Sequence, residues 1–246
     1  MIIKLDFDGN ILSEKRYTNG HYDEFQDVCT VGDRVFAIVL MQTGSTWSEF
    51  SSWLAEFDAS GNQVSGKKID LDAGVDDNCS FYTIASDGTD TYLGGAVYID
   101  GDGSYLMLAK LDETFSVEWC KYFGTGEYSY ADGLTLHPDG GVLFCGGIQG
   151  FGSGDYDGYV AHVDADGAMQ WQMAYGTSSY DDTMEVCVLP DGSLMIAGYT
   201  EGTIHGEGSI YVAKLDESHT DEWAYLYGDS ELYNLLGEMV TVEDKG

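Results

Sequence analysis

Apolar residues in this chain come in short runs, each closed by an acidic or glycine-containing turn, and one such run recurs five times. Its copies are Ile2-Ile3-Lys4-Leu5-Asp6, Trp53-Leu54-Ala55-Glu56-Phe57-Asp58, Met107-Leu108-Ala109-Lys110-Leu111-Asp112, Tyr159-Val160-Ala161-His162-Val163-Asp164 and Tyr211-Val212-Ala213-Lys214-Leu215-Asp216. With the final Asp as marker, successive copies lie 52, 54, 52 and 52 residues apart. The fourth unit divides most clearly, into strands over 183–189, 193–199 and 210–215 and a last strand that carries Trp223 and ends at Tyr227-Gly228. Pro190-Asp191-Gly192 makes the first turn, because Pro presets φ and Asp-Gly tolerates the left-handed region. A polar, glycine-rich link over 201–208 and a tight turn over 216–220 supply the other connections.

A repeat of this length, built from four strands, predicts an all-β chain: a five-bladed β-propeller of four-stranded antiparallel blades. The chain reads as one domain, 1–246, with blades at 18–69, 70–123, 124–175 and 176–227, and a fifth formed by 228–246 together with 1–17. Five units of 52 would need 260 residues against the 246 present, so the blade shared by the two ends is short by one strand and its loop. A three-stranded fifth blade, a longer protein, or a strand donated by a partner would each account for that. Trp119, Trp171 and Trp223 lie seven residues past the marker Asp, and Tyr17, Phe123, Tyr175 and Tyr227 lie eleven past it. Aromatics at a fixed strand position predict core between adjacent sheets rather than ligand contacts.

Composition adjusts this picture only in part. Gly at 33, Pro at 2 and Tyr at 18 suit many short strands joined by tight turns. A net charge of −33 repels nucleic acid and anionic membrane and favours solubility, a cation or a basic partner. No apolar run approaches the ~20 residues of a membrane-crossing helix. The five cysteines form no Cys-x-x-Cys pair, and Cys29 and Cys187 share one repeat position inside an apolar strand, so buried free thiols are expected.

The pattern Trp-x-x-x-Tyr-Gly (Trp171 to Gly176, Trp223 to Gly228), then Asp-Gly-Gly/Ser, then Ala197-Gly198-Tyr199-Thr200, then Lys-Leu-Asp resembles the bacterial and archaeal β-propeller repeat family. The resemblance covers essentially the whole chain, best over 105–228. It implies a propeller used for binding or scaffolding, without catalytic residues, in an extracellular or cell-surface setting. Met1 leads straight into repeat sequence with no basic-then-apolar leader, which leaves a cytoplasmic setting open.

In four-stranded blades, the turns after strands one and three share one face, and here they are tight. The links on the other face are longer and rich in rings and carboxylates. They supply the candidate ligand-binding residues Tyr22, Asp23, Trp47, Asp76, Asp77, Tyr128, Tyr130, Tyr156, Tyr180, Asp181, Asp182, His205 and Tyr233. Carboxylates beside flat rings can stack on and hydrogen-bond to a glycan, or receive a basic peptide. The same repeat-matched positions also suit caps on strand ends. Asp6 to Asn10, Asp100 to Ser104 and Asp164 to Gly167 resemble fragments of calcium loops, but none completes the ligand series. No cofactor and no dedicated metal site is expected, only weak adventitious calcium. The five His residues do not cluster, and neither a phosphate-binding loop nor a nucleophile elbow appears. The expectation is a non-enzymatic binding or scaffolding propeller with a protein or glycan partner. The alternatives are a carbohydrate-active hydrolase using Asp23, Asp76, Asp77, Asp181 and Asp182 at the channel, and a structural domain of a surface or filament assembly.

Overall fold

The computed structural model describes residues 1–6, 8–17, 22–42, 50–69, 71, 79–99, 101–202 and 208–228. Every regular element among them is a strand. β1 (Ile2–Leu5) and β2 (Ile11–Lys15) form an antiparallel pair. Four four-stranded antiparallel sheets follow. The first contains β3 (Asp23–Val31), β4 (Arg34–Gln42), β5 (Phe50–Phe57) and β6 (Gln63–Lys68). The second contains β7 (Cys79–Ser86), β8 (Thr91–Ile99), β9 (Gly103–Leu111) and β10 (Val117–Phe123). The third contains β11 (Ser129–Leu136), β12 (Val142–Gln149), β13 (Tyr156–Val163) and β14 (Met169–Tyr175). The fourth contains β15 (Asp181–Val188), β16 (Leu194–Thr200), β17 (Ser209–Leu215) and β18 (Asp221–Tyr227). Each sheet lies within one repeat unit and pairs its strands in chain order.

The first strands β3, β7, β11 and β15 pack successively against one another, which makes them the inner wall of the ring. The hydrophobic core is a row of interfaces between blades. Phe36, Ile38 and Leu54 meet Phe81, Leu93 and Met107 between the first and second sheets. Tyr92, Leu106 and Leu108 meet Phe144, Ile148 and Tyr159 between the second and third. Leu143, Cys145 and Val160 meet Val186, Ile196 and Tyr211 between the third and fourth. Strands β12 and β13 are buried almost throughout, as strands covered on both faces must be.

The repeat signatures have structural explanations. Each marker Asp folds the tight hairpin that follows it. In Asp58, Oδ1 accepts the N–H groups of Ser60 and Asn62 at 2.8 and 2.9 Å, and Oδ2 accepts the Asn62 side-chain amide at 2.9 Å. Asp6, Asp112, Asp164 and Asp216 accept the equivalent pair of backbone N–H groups. The side-chain amides of Asn10 and Asn62, together with the backbone N–H groups, hold the carboxyls of Asp6 and Asp58 below their ordinary value, and the Ser116 N–H leads the same effect at Asp112. The calcium-like sequence at Asp164 to Gly167 is thus a self-capping turn. The recurring Trp joins one blade to the next blade's hairpin: Trp119 Nε1 donates to the Ala165 carbonyl at 3.1 Å, and Trp171 lies 3.9 Å from the His219 ring.

The pair β1–β2 leans on the first sheet in the same manner. Lys4 Nζ donates to the Ala59 carbonyl at 2.9 Å, and the Tyr17 hydroxyl donates to the Gly61 carbonyl. The segment 229–246, assigned by its sequence to the same blade, lies outside the described residues. On the fourth sheet, Tyr225, Leu226 and Tyr227 of β18 are exposed. All five cysteines are free, and burial pushes the thiols of Cys29 and Cys120 up to about 12.

Candidate functional site

The inner strands do not run straight. In each, the ladder to the second strand slips by one residue at the same repeat position: between Phe25 and Asp27, Phe81 and Thr83, Ala131 and Gly133, and Thr183 and Glu185. The residues left over are Gln26, Tyr82, Asp132 and Met184. A bulge of this kind bends the strand and redirects one side chain, and all four of these residues line one cavity of about 800 Å³. The bulges bring strand one close to strand two, which carries glycine where they meet. A Cβ on Gly95, Gly146 or Gly198 would be driven into the carbonyl of Ser80, Tyr130 or Asp182 respectively.

Above the bulges the cavity opens among tyrosines. Tyr128 immediately precedes β11 and Tyr130 stands at its start, Tyr156 opens β13, Tyr180 immediately precedes β15, and Tyr199 stands near the end of β16. These strand ends share one face of the ring. The Tyr156 and Tyr180 rings stack 4.5 Å apart and 4° from parallel. Tyr128 meets Tyr130 edge-on at 5.7 Å, and Tyr180 meets Tyr199 edge-on at 6.2 Å. Tyr128 is 62% exposed and Tyr180 37%, so the row presents ring surface to solvent. Its backbone is committed to the fold: the carbonyls of Tyr128 and Tyr180, like that of Tyr22 in the first blade, accept the N–H groups of Gln149, Glu201 and Gln42 at 3.0, 2.8 and 3.0 Å.

Beneath the rings lie carboxylates. The Tyr130 hydroxyl donates to Asp182 Oδ2 at 2.8 Å and sits 3.2 Å from the Tyr180 hydroxyl. The other oxygen of Asp182 is buried with no hydrogen-bond partner among the described residues. Burial pushes the Asp132 carboxyl up to about 8, with the neighbouring charges of Asp182 and Glu185 adding to the rise. Burial also pushes Asp182 up to about 6, opposed by the hydrogen bond from Tyr130. Tyr82, Asp132 and Glu185 all line the cavity, and no Lys, Arg or His among the described residues does so.

Of the residues expected from the sequence, Tyr128, Tyr130, Tyr156, Tyr180 and Asp182 are brought together. Asp181 is turned elsewhere: its Oδ2 accepts the Thr177 N–H at 2.6 Å and the Thr177 hydroxyl at 2.9 Å, which fastens the link into the fourth blade. Asp23 lines a separate small pocket beside Trp53, and Tyr22 stands apart, 45% exposed with its hydroxyl 3.4 Å from Glu24. Trp47, Asp76, Asp77, His205 and Tyr233 lie outside the described residues. Sequence reasoning missed Gln26, Tyr82, Asp132, Met184 and Glu185. The available signal was a non-repeating residue type at a constant repeat position, opposite the glycines of strand two.

No protein-family model matches the chain, and no curated protein matches it. Solved structures do. A protein of unknown function from Bacteroides caccae aligns with TM-score 0.57 at 10% identity, over 90% of this chain and 73% of its own. The β-propeller domain of the Trilobed protease from Pyrococcus furiosus aligns with TM-score 0.44 at 13% identity, over 85% of this chain and 58% of that one. A subtype N11 neuraminidase-like protein (flat-faced bat, Peru) aligns with TM-score 0.46 at 13% identity, over 89% and 62%. The fold is a β-propeller. At such identities the likeness extends to architecture alone, and what the propeller binds is to be argued from its own residues.

Proposed function

We propose that this propeller is a non-enzymatic binding module that receives a protein or glycan partner at the tyrosine-lined mouth of its channel. One observation supports the reading above others: five tyrosines from two blades form a continuous, partly exposed row beside an 800 Å³ cavity with acidic walls. Rings offered to solvent in this way supply stacking area at low entropic cost, and the carboxylates fix orientation. The partners it fits are a glycan stacked along the rings or a basic segment of another protein. Nucleic acid and anionic membrane are disfavoured by the net charge of −33. The test pairs a glycan array with affinity capture, using the native chain and a Tyr128→Ala/Tyr180→Ala variant. Retention lost in the variant, with unchanged melting temperature, supports the reading, and equal retention by both chains defeats it.

A second reading is hydrolysis. It draws on Asp132 and Asp182, whose surroundings raise both carboxyls to different extents, the arrangement by which paired acids divide acid and base work. Turnover of chromogenic glycosides by the native chain and not by Asp132→Asn would favour it over binding alone.

A further inference from the structure

We propose that the channel cavity binds an alkylammonium group, seated against Tyr82 and Tyr130 and held by the carboxylates of Asp132 and Glu185, with Asp182 behind them. This deepens the binding-module reading and rests on it. The ammonium would come from a lysine side chain of a partner or from a free polyamine, and the chemistry of recognition is the same for both.

Four observations converge. The cavity wall carries Asp132, Glu185 and Glu127 and, among the described residues, no cationic side chain. Asp182, 6% exposed and joined to the cavity wall through the Tyr130 hydroxyl, has one carboxylate oxygen buried with no hydrogen-bond partner among the described residues. An ammonium supplies three donors and no acceptor, which matches the ionised carboxylates of Asp132, Glu185 and Glu127 better than a sugar's mixed hydroxyls do. The wall also holds the rings of Tyr82, Tyr128 and Tyr130, whose faces attract a desolvated cation. A metal ion fits less well, because no three His, Cys, Asp or Glu side chains among the described residues converge at ligating geometry. The surrounding field of net charge −33 raises the local concentration of cations at the mouth.

Binding should tighten with pH. The groups facing Asp132 are Asp182 and Glu185 of β15, Tyr180 just before that strand, Tyr82 of β7, Tyr156 of β13 and the buried thiol of Cys145 on β12. Of these, the raised carboxyls change charge between pH 5 and pH 8, whereas an amine stays protonated until about 10. A cation therefore meets a more negative wall as pH rises.

Spermidine and the peptide acetyl-Ala-Lys-Ala-amide are titrated calorimetrically into the full chain at 150 mM NaCl, at pH 5.5 and pH 8.5. The same is done with Asp132→Asn and Glu185→Gln, each first checked for native circular dichroism. The expected result is one site per chain, about tenfold tighter at pH 8.5, and at least tenfold weaker in either variant. Generalised attraction to an acidic surface would hardly change on removing one of 43 acidic residues. Multiple weak sites, or variants that bind like the native chain, overturn the proposal. Tighter binding of the peptide assigns the ammonium to a protein partner, and tighter binding of spermidine to a polyamine. If the glycan array or capture succeeds while both amines fail, the ammonium site is wrong and the binding-module reading survives.

Discussion

Asp164 and Asp132 are both repeat-position aspartates, and their surroundings set them to opposite tasks. Asp164 accepts backbone N–H groups from Asp166 and Ala168 at 3.0 and 2.9 Å, and its second oxygen accepts the Gln170 amide at 2.8 Å. Replacing it with Ala leaves those donors to solvent and should cost about 1–2 kcal/mol, measured by urea unfolding. Added calcium should not change the midpoint in either chain. Asp132 behaves the other way. Its folded-state carboxyl lies above the ordinary 3.8, so the favourable contribution present below that value is lost as pH rises through about 8. Asp132→Asn removes the burden. The variant should melt higher than the native chain at pH 8.5, and the two curves should converge near pH 4. A variant that melts lower at both pH values would show that the charge is compensated.

At the scale of elements, strands and turns were legible because the turn chemistry and the apolar runs agree in every unit. The bulges were not. One inserted residue leaves the apolar run intact, and only the pairing with the neighbouring strand reveals it. The dipeptide Asp181-Asp182 shows a second limit. Successive strand side chains point to opposite faces, so one carboxylate ties the inter-blade link and the other meets Tyr130. Their identity gives no hint of which does which. The strand-two glycines make the bulge testable. Gly146→Ala sets a methyl against the Tyr130 carbonyl and should cost about 1–3 kcal/mol, with the Tyr130–Asp182 contact disturbed. An unaltered unfolding midpoint would mean that the inner strand has room to withdraw.

For the whole molecule, the repeat period alone pointed to radial sheets, and the core is distributed over the seams between them rather than within any one. Phe144, fully buried at the seam of the second and third sheets, touches Phe123 and Tyr159 at centroid distances of 5.3 and 5.8 Å. Phe144→Ala should therefore cost about 3–5 kcal/mol. Because the seams are shared, tryptophan fluorescence and far-ultraviolet circular dichroism should report one common midpoint, and separated transitions would indicate blades that melt independently.

The four residues at the slipped ladder positions differ completely in type: an amide, a phenol, an acid and a thioether. Since each stands outside the regular pairing, exchanging it need not shift any neighbour along its strand. Mutation could thus rewrite the lining of this channel one sector at a time, and new ligand preferences would arise without first inventing a new scaffold.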